Sequence, residues 1–155
     1  KTLIASWSSL QNINKTRLKI VGADKIAGLN RLPENIELIK RQSIHELKNT
    51  IAKALFVFVP MPYFRYSYGQ MTVLQSMAMK KAVIVTETPG MTDYIVDGEN
   101  GIFVKPYDPD SLREKLTLLI NDPRLASAIG ERAFQSIKKD FIKLYNETFG
   151  GNNEP

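Results

Sequence analysis

YSYGQMTVLQSMAMKKAVIVTETPG, residues 66–90, joins a glycine turn, a helix start and a strand in one run. Residues 55–60 (LFVFVP), just before it, form an unbroken apolar segment of strand length, which predicts a strand buried on both faces. Gly69 allows the backbone to turn tightly into a helix that begins near Gln70. The helix is predicted to bury one apolar face, formed by Met71, Leu74, Met77 and Ala78. A buried strand, a glycine loop and a helix start together leave unpaired backbone N–H groups that suit an anion.

The rest of the chain alternates strands with helices. Further strands are predicted at residues 18–22 (LKIVG), 35–39 (NIELI), 82–86 (AVIVT) and 101–104 (GIFV). Three helix starts are marked by the N-cap residues Ser43, Asp108 and Asp122, and another amphipathic helix opens the chain. About five strands in this alternation predict a doubly wound, Rossmann-like parallel sheet of the α/β class.

Length and composition favour one domain. The 155 residues, 43% of them hydrophobic, can bury one ordinary core, which we place at residues 1–149 with a tail at 150–155. The sequence has no Cys and one His, His45, so thiol chemistry is excluded and a histidine-based metal cluster or catalytic triad is implausible. We therefore expect no cofactor and no metal, and we interpret His45 as a surface residue.

The net charge of +5 favours anionic partners such as phosphorylated ligands or acidic lipid surfaces. Lys and Arg residues are scattered along the chain without a recognisable nucleic-acid motif, so nucleic acid is not expected as a partner. No apolar run approaches the roughly 18 residues of a membrane span. These features are compatible with a cytoplasmic location, with peripheral contact to a membrane as an open alternative.

The doubly wound fold also predicts where a ligand binds. Ligands bind beyond the carboxyl ends of the strands, near the point where the strand order reverses. The turns at those ends are residues 22–25, 40–43, 61–70 and 87–91. Because parallel strands end at the same edge of a sheet, we expect these turns to converge on one crevice.

A longer pattern surrounds the opening stretch. Residues 74–104 read LQSMAMKKAVIVTETPGMTDYIVDGENGIFV: a helix, a Val-Ile strand, a loop with glycine, an acidic residue and a closing Asp-Gly-x-x-Gly. With the strands before it, this run resembles the nucleotide-binding C-terminal domain of a GT-B glycosyltransferase, of the retaining group 1 class (family 4). The resemblance covers nearly the whole chain. It implies the C-terminal half of a GT-B fold, here without the domain's first strand and without the N-terminal acceptor domain.

The signature of that family is a pair of glutamates with seven residues between them, which align with Ser67 and Gln75. Neither carboxylate is therefore present. The resemblance implies that the second position binds the ribose hydroxyls of the nucleotide, where Gln75 can still accept and donate hydrogen bonds. The first position contacts the donor sugar, and the shorter, uncharged Ser67 leaves the identity of that sugar open.

The resemblance assigns further contacts by position. The diphosphate would lie at the helix start, against Gly69, Gln70, Met71 and Thr72. The base would lie near Lys40 and Arg41, and the sugar near Thr88, Pro89 and Gly90. A solvated charged turn explains Lys40 and Arg41 equally well. Asp93 matches an acidic position of the family, and a cap for the following turn explains it equally well.

These features support one function and leave alternatives open. The resemblance implies the donor-binding half of a hexosyltransferase-type glycosyltransferase, which passes a sugar from a nucleotide-sugar to a glycan or lipid-linked acceptor, as in polysaccharide biosynthesis. The chain alone is expected to transfer nothing. Alternatively, loss of both signature glutamates has left a catalytically inactive nucleotide-binding scaffold or regulatory domain. A receiver-like or flavodoxin-like domain needs an acidic cluster or a flavin-stacking loop at the first strand ends, where only Asp24 is found.

Overall fold

The computed structural model describes residues 2–10, 16–26, 31–61 and 69–149. The helices are α1 (Thr2–Ser8), α2 (Ile44–Ala52), α3 (Gln70–Ala78), α4 (Pro109–Asn121) and α5 (Pro123–Phe149). The strands are β1 (Leu18–Val21), β2 (Ile36–Ile39), β3 (Phe56–Val59), β4 (Ala82–Thr86) and β5 (Ile102–Val104). The predicted alternation of strands and helices is confirmed.

All strand pairs run parallel, which confirms the α/β class. Among the described residues the strands form two sheets, one of β1 and β2 and one in the order β3-β4-β5. Leu18 pairs with Ile36 in the first sheet, and Phe56 pairs with Ala82 in the second. Within these residues β1 and β3 are each paired on one edge only, so the single sheet expected from the sequence is seen as two.

β4 lies at the centre of the core. All its residues are buried, which confirms the fully buried strand predicted from AVIVT. Alternate side chains point to opposite layers. Ile84 belongs to a cluster with buried residues of α1 and α4, whereas Val83 and Val85 belong to a second cluster with α3. Helices therefore cover both faces of this sheet, as in a doubly wound fold.

β3 is less buried than predicted. The apolar run at residues 55–60 indicated a strand covered on both faces, yet only Val59 is buried and the three strand residues before it are half-buried. Leu55, just outside the strand, is 41% exposed. The reason is that β3 is covered by β4 on one edge and by no described strand on the other.

The buried face of α3 agrees with the prediction in part, since Met77 is buried and Leu74 packs against the same core cluster. Its buried residues are Val73, Ser76 and Met77, whereas Met71 is 67% exposed and Ala78 is exposed. The helix packs on β4 and α5 through Val73 and Met77. Ser76 is tolerated in this contact because its hydroxyl donates to a carbonyl oxygen of the preceding turn at 2.7 Å.

The predicted helix starts are confirmed. Ser43 and Glu46 form a capping box on α2: the Ser43 hydroxyl donates to the Glu46 carboxylate at 2.7 Å, and the Ser43 N–H donates at 2.8 Å. These hydrogen bonds, the hydroxyl's first, lower the pKa of Glu46. Asp108 caps α4 by accepting two N–H groups of the first turn at 3.0 and 2.9 Å. Asp122 caps α5 in the same way with one N–H group at 2.9 Å.

The helix that opens the chain is confirmed as α1, which packs on α4. Ile4 and Trp7 are buried, as the amphipathic pattern predicted, and the Ser6 hydroxyl donates to the Pro109 carbonyl oxygen at 2.8 Å. Ile13, from the same predicted face, lies outside the described residues. None of the helices in the described ranges is both long enough and apolar enough to cross a membrane, although α5 has 27 residues.

Candidate functional site

The loop after β3 ends at Gly69, the N-cap of α3. Its backbone has a φ of 76° and a ψ of −3°, a left-handed conformation that favours glycine. A Cβ atom at this position would lie 2.7 Å from the Met61 sulfur and 3.0 Å from Val59 Cγ1. Glycine is therefore required both by the backbone conformation and by close packing on the end of β3.

The first turn of α3 has unpaired backbone N–H groups. Its first helical hydrogen bond joins the Val73 N–H to the Gly69 carbonyl oxygen at 3.1 Å. The N–H groups of Gln70, Met71 and Thr72 donate to no described residue. Side chains cap α2, α4 and α5, whereas α3 has no side-chain cap and no acidic residue in its first turn. No described residue therefore occupies the positive end of this helix, which is the kind of position that an anion favours.

A hydrogen bond ties this helix start to the segment after β4. The Gln70 side-chain amide donates it to the Tyr94 hydroxyl. Sequence reasoning missed Tyr94, because no local signal joins two residues 24 positions apart. At the same edge the Met61 N–H donates to the Thr86 hydroxyl at 3.0 Å, which holds the end of β3 against the end of β4. The Gln70 side chain is thus engaged within the protein, whereas its backbone N–H has no partner among the described residues.

The loop after β4 contains the predicted sugar contacts. The Met91 N–H donates to the Thr88 carbonyl oxygen at 2.9 Å, which closes a turn around Pro89 and Gly90. Thr88 is 2% exposed, and its hydroxyl has no hydrogen-bond partner among the described residues, which is uncommon for a buried polar atom. Asp93 is exposed, and its carboxylate accepts no hydrogen bond in the described part of the chain, so the expected cap is not observed.

The two signature positions are described only in part. Gln75 lies on α3, half-buried, and its side-chain amide bonds to no described residue. It follows Gln70 by five positions, which corresponds to about 7.5 Å along the helix axis. Ser67 lies outside the described residues, so no distance to Gln75 can be given. Gln75 is therefore the one signature position whose place in the fold the structure describes.

Lys40 and Arg41 lie in the exposed turn between β2 and α2. Neither forms an ion pair within the described ranges. The N–H groups of Gly22 and Ala23 donate to the Ile39 carbonyl oxygen at 2.8 and 3.3 Å, which joins the turns after β1 and β2. No described hydrogen bond or ion pair joins these turns to α3 or to the loop after β4. The structure thus joins Gln70 to Tyr94, in the segment that follows Pro89 and Gly90, and no described hydrogen bond or ion pair joins it to Lys40 or Arg41.

A cavity of about 470 Å³ opens at the carboxyl ends of the strands. Its lining is mainly apolar and comes from both sheets, with Ile20, Ile26, Phe58, Met61, Thr86 and Tyr107 among the lining residues. Residues of β1, β3, β4 and β5 therefore border this cavity, but of the four predicted turns only residues 61–70 contribute to its lining, through Met61. Tyr107 was missed in the sequence, although it is 80% exposed and has a φ of 59°, a conformation unusual for a bulky residue.

The closing Asp-Gly-x-x-Gly is a structural turn. The Asp97 carboxylate accepts the Phe103 N–H at 2.7 Å, which fixes the turn against β5. The buried Asn100 accepts the Val96 N–H at 2.7 Å and donates to the Ser136 hydroxyl of α5 at 3.1 Å. This motif therefore docks β5 on α5.

One Asp-x-Asp spacing was missed in the sequence: Asp108-Pro109-Asp110, a spacing that metal-dependent sugar transferases use. Both carboxylates act locally, since Asp108 caps α4 and Asp110 pairs with Arg113 at 2.9 Å. In the part of the chain that the structure describes, no group of three or more His, Asp and Glu side chains is arranged to hold a metal ion. The spacing is therefore explained by the start of α4.

Comparison with known sequences identifies a family. A profile described as glycosyl transferases group 1 matches residues 1–136. An uncharacterized glycosyltransferase of Methanocaldococcus jannaschii is 33% identical over 105 residues, which cover 68% of this chain and 29% of that protein. The chain thus spans less than a third of the length of this curated relative.

Two solved structures share the fold. WaaG, a glycosyltransferase involved in lipopolysaccharide biosynthesis, matches 97% of this chain and 43% of its own with a TM-score of 0.75 at 21% identity. HepE of Anabaena, crystallised with UDP-glucose, matches 95% of this chain and 42% of its own with a TM-score of 0.71 at 15% identity. At these identities the likeness concerns the fold, and it confirms the α/β architecture of GT-B glycosyltransferases.

Proposed function

This chain belongs to the group 1 glycosyl transferases, and we propose that it is the part of such an enzyme that binds the nucleotide-sugar donor. The observation that carries the proposal is the start of α3, where three backbone N–H groups without described partners lie beside the loop after β4. A nucleoside diphosphate supplies the negative charge that such a helix start favours. The likeness to HepE, crystallised with UDP-glucose, supports a uridine nucleotide as the first ligand to test.

The proposed donor lies along α3. Its diphosphate accepts hydrogen bonds from the N–H groups of Gln70, Met71 and Thr72, where Gly69 keeps side-chain atoms away. The ribose lies beside Gln75, whose amide can both donate and accept. The side chain of Gln75 and the N–H groups of residues 70–72 lie on one helix and have no partner within the described ranges, which supports this placement.

The remaining contacts are proposed on the family pattern. Pro89 and Gly90 approach the sugar, because their loop is held against the start of α3 through Tyr94. Ser67 is proposed to contact the same sugar in place of the first signature glutamate. Lys40 and Arg41 are proposed to approach the base, and their freedom from ion pairs in the described residues supports this role.

The proposed reaction transfers a hexosyl group, with retention of configuration, to a hydroxyl of a glycan or lipid-linked acceptor. The bond between the anomeric carbon and the diphosphate oxygen breaks as a bond forms to the acceptor oxygen, whose proton passes to the departing diphosphate. The negative charge that develops on this leaving group is stabilised by the α3 terminus and basic side chains. The donor is a substrate, and the proposal includes no metal or other cofactor. We place the acceptor site in the rest of the enzyme and the reaction in the cytoplasm, at a membrane surface where the acceptor is lipid-linked. This chain alone would bind the donor without transferring the sugar.

Titration of the isotopically labelled chain with UDP, followed by its backbone amide resonances, tests the proposal. The amides of residues 70–72 are expected to shift first and to saturate. Uridine, which lacks the diphosphate, is the matched ligand and should leave them unchanged. Gln75→Ala should weaken UDP binding about tenfold, the loss of one hydrogen bond of up to about 1.5 kcal/mol. Gln135→Ala on α5 should not, and amides 70–72 that stay unchanged in millimolar UDP would sink the proposal.

The inactive scaffold is distinguished from the enzyme in the full-length protein. Incubation with UDP-sugars and a glycan acceptor should release UDP if the chain is part of an enzyme. Binding of UDP at residues 70–72 without release from any nucleotide-sugar would favour the scaffold instead.

A further inference from the structure

The segment after β4, residues 88–95, is held together by overlapping turns. The Thr92 hydroxyl donates to the Pro89 carbonyl oxygen at 2.9 Å. The Tyr94 N–H donates to the Met91 carbonyl oxygen at 3.1 Å. Because these turns overlap in sequence, the loop proposed for the sugar and Tyr94 form one unit. A contact that holds Tyr94 therefore also holds Pro89.

This unit is anchored in the core. Met91 and Ile95 are buried in the same cluster as Val73 of α3. The side-chain amide of Asn100 donates to the Tyr94 carbonyl oxygen at 3.1 Å and also bonds to α5. The Tyr94 backbone therefore has a fixed position, from which its side chain reaches a neighbouring element.

The side chain of Tyr94 joins this unit to the start of α3. Tyr94 is half-buried and packs against the core cluster that contains Val73 and Met77 of α3. Its hydroxyl accepts a hydrogen bond from the side-chain amide of Gln70. Gln70 is the first residue of α3, and its N–H is one of the three proposed for the diphosphate. The Tyr94 hydroxyl therefore links the proposed diphosphate site to the loop proposed for the sugar.

The helix start by itself favours the product of the proposed transfer over its substrate. A nucleoside diphosphate ends in a phosphate that carries more negative charge than the sugar-linked phosphate of a nucleotide-sugar. A helix N-terminus attracts the more negative of two such ligands more strongly. A site that relied on residues 70–72 alone would therefore be occupied by its own product. Preference for the donor has to come from contacts to the sugar.

Those contacts strengthen binding only when they match the position of the diphosphate. One bond joins the sugar to the diphosphate, so the sugar reaches the loop of Pro89 at a set distance from residues 70–72. Two joined contacts strengthen binding when the protein holds both of its parts in matching geometry, and the gain falls when one part moves. The hydrogen bond between Gln70 and Tyr94 lies between these two parts.

We propose that Tyr94 is a positioning residue that makes the site prefer a nucleotide-sugar over the nucleoside diphosphate released from it. The inference rests on the proposed function and adds to it the discrimination between donor and product. Tyr94 does not contact the donor. It acts through Gln70 on one side and through the loop of Pro89 on the other.

Calorimetric titration of the full-length protein with UDP, UDP-glucose, UDP-galactose and UDP-N-acetylglucosamine tests the proposal. The measured quantity is the Kd of UDP divided by the Kd of the nucleotide-sugar that binds most tightly. Tyr94→Phe keeps the aromatic ring and removes the hydroxyl. It should lower this ratio about threefold to tenfold, the range expected for one hydrogen bond, and change the Kd of UDP by less than about twofold.

Two further variants separate positioning from a loss of stability. Ser6→Ala also removes a hydrogen-bonded hydroxyl, which donates to the Pro109 carbonyl oxygen at 2.8 Å, but on the face of the sheet opposite α3. It should leave the ratio unchanged. Gln70→Ala should lower the ratio, and Tyr94→Phe should then have no additional effect, because the two side chains act through one hydrogen bond.

The outcomes distinguish this inference from the proposed function. An unchanged ratio in Tyr94→Phe, with UDP still bound, overturns the inference and leaves the proposed function standing. An equal loss of affinity for UDP and for the nucleotide-sugar also overturns it, because Tyr94 would then only maintain the helix start. The same follows if no nucleotide-sugar binds the wild type more tightly than UDP. A wild type that does not bind UDP overturns the proposed function and this inference with it.

Discussion

Replacing Gly69 by Ala tests whether α3 begins as the structure places it. A residue other than glycine in the left-handed region costs about 1–2 kcal/mol. The new Cβ atom would also lie 2.7 Å from the Met61 sulfur and 3.0 Å from Val59 Cγ1. Overpacking of this kind costs about 1–3 kcal/mol, and the flexible thioether of Met61 places the cost toward the lower end. We therefore expect Gly69→Ala to lower the free energy of unfolding by about 2–4 kcal/mol.

Gly98→Ala is the control that separates the two costs. Gly98 has a φ of 73°, close to that of Gly69, but its Cβ would meet nothing within 4 Å. It should therefore show the backbone cost of about 1–2 kcal/mol alone. Combining Gly69→Ala with Met61→Ala removes the nearest clash, and the double-mutant cycle gives the packing term directly. Urea denaturation followed by circular dichroism measures the wild type, the three single variants and the double variant, with slopes compared to confirm a common transition.

The comparison of the two glycines decides the outcome. If Gly69→Ala costs no more than Gly98→Ala, the start of α3 does not pack on the end of β3. The same variants also test the proposed donor site, because a displaced helix start moves the N–H groups of residues 70–72. Gly69→Ala should weaken UDP binding, whereas Gly98→Ala, in the turn before β5, should leave it unchanged.

Three further predictions concern α5, the link between α3 and the loop after β4, and the start of α2. Gly130→Ala would place a Cβ atom 2.1 Å from the Lys80 carbonyl oxygen. It should lower the free energy of unfolding by about 2–3 kcal/mol despite the better helix propensity of Ala, and an unchanged melting temperature contradicts this contact. Tyr94→Phe removes the acceptor of the Gln70 amide and should cost about 0.5–1.5 kcal/mol in denaturation. An equal cost in a Gln70→Ala background would show that the two side chains are not coupled. Hydrogen bonds from Ser43 lower the pKa of Glu46 below its ordinary value of 4.5. The capping box therefore stabilises the folded chain fully at pH values above 4.5, and this contribution is lost as the pH falls through the pKa of the folded state. Glu46→Gln should flatten the decline of the melting temperature over that acid range, and an unchanged acid slope argues against the effect.

The elements with strong local signals could be predicted from the sequence. Asp108 and Asp122 precede prolines, and each caps a helix because the side chain and the N–H groups it accepts are only two or three residues apart. The strand AVIVT is buried on both faces, as its composition indicates. The burial of β3 could not be predicted in the same way. The apolar sequence FVFV indicates that these residues favour burial, but it does not determine which elements pack against them. What lies beside a strand is a property of the whole sheet.

The backbone features of the candidate site could be predicted from the sequence, whereas several of its side-chain contacts could not. The glycine turn and the helix start followed from residues 66–90, because both depend on Gly69. The apolar face of α3 did not, since Met71 and Val73 are equally apolar and only the direction of packing on β4 decides between them. Ser76 is buried because its hydroxyl bonds within the helix, which a hydrophobic pattern cannot register. Tyr94 contacts Gln70 across a strand and two turns, so its role required the tertiary structure.

The start of α3 connects stability with the proposed binding of the donor. A side-chain N-cap contributes about 1 kcal/mol to a helix, and α2, α4 and α5 each have one. Gly69 offers no such acceptor, and in the described part of the chain the N–H groups of Gln70, Met71 and Thr72 have no partner, as the proposed ligand requires. A ligand that binds only the folded chain stabilises it by about 2.7 kcal/mol at a concentration one hundred times its Kd. A built-in cap would stabilise the empty protein but occupy the same N–H groups, so it would compete with the diphosphate. An uncapped helix start is therefore the arrangement that a phosphate site at this position requires.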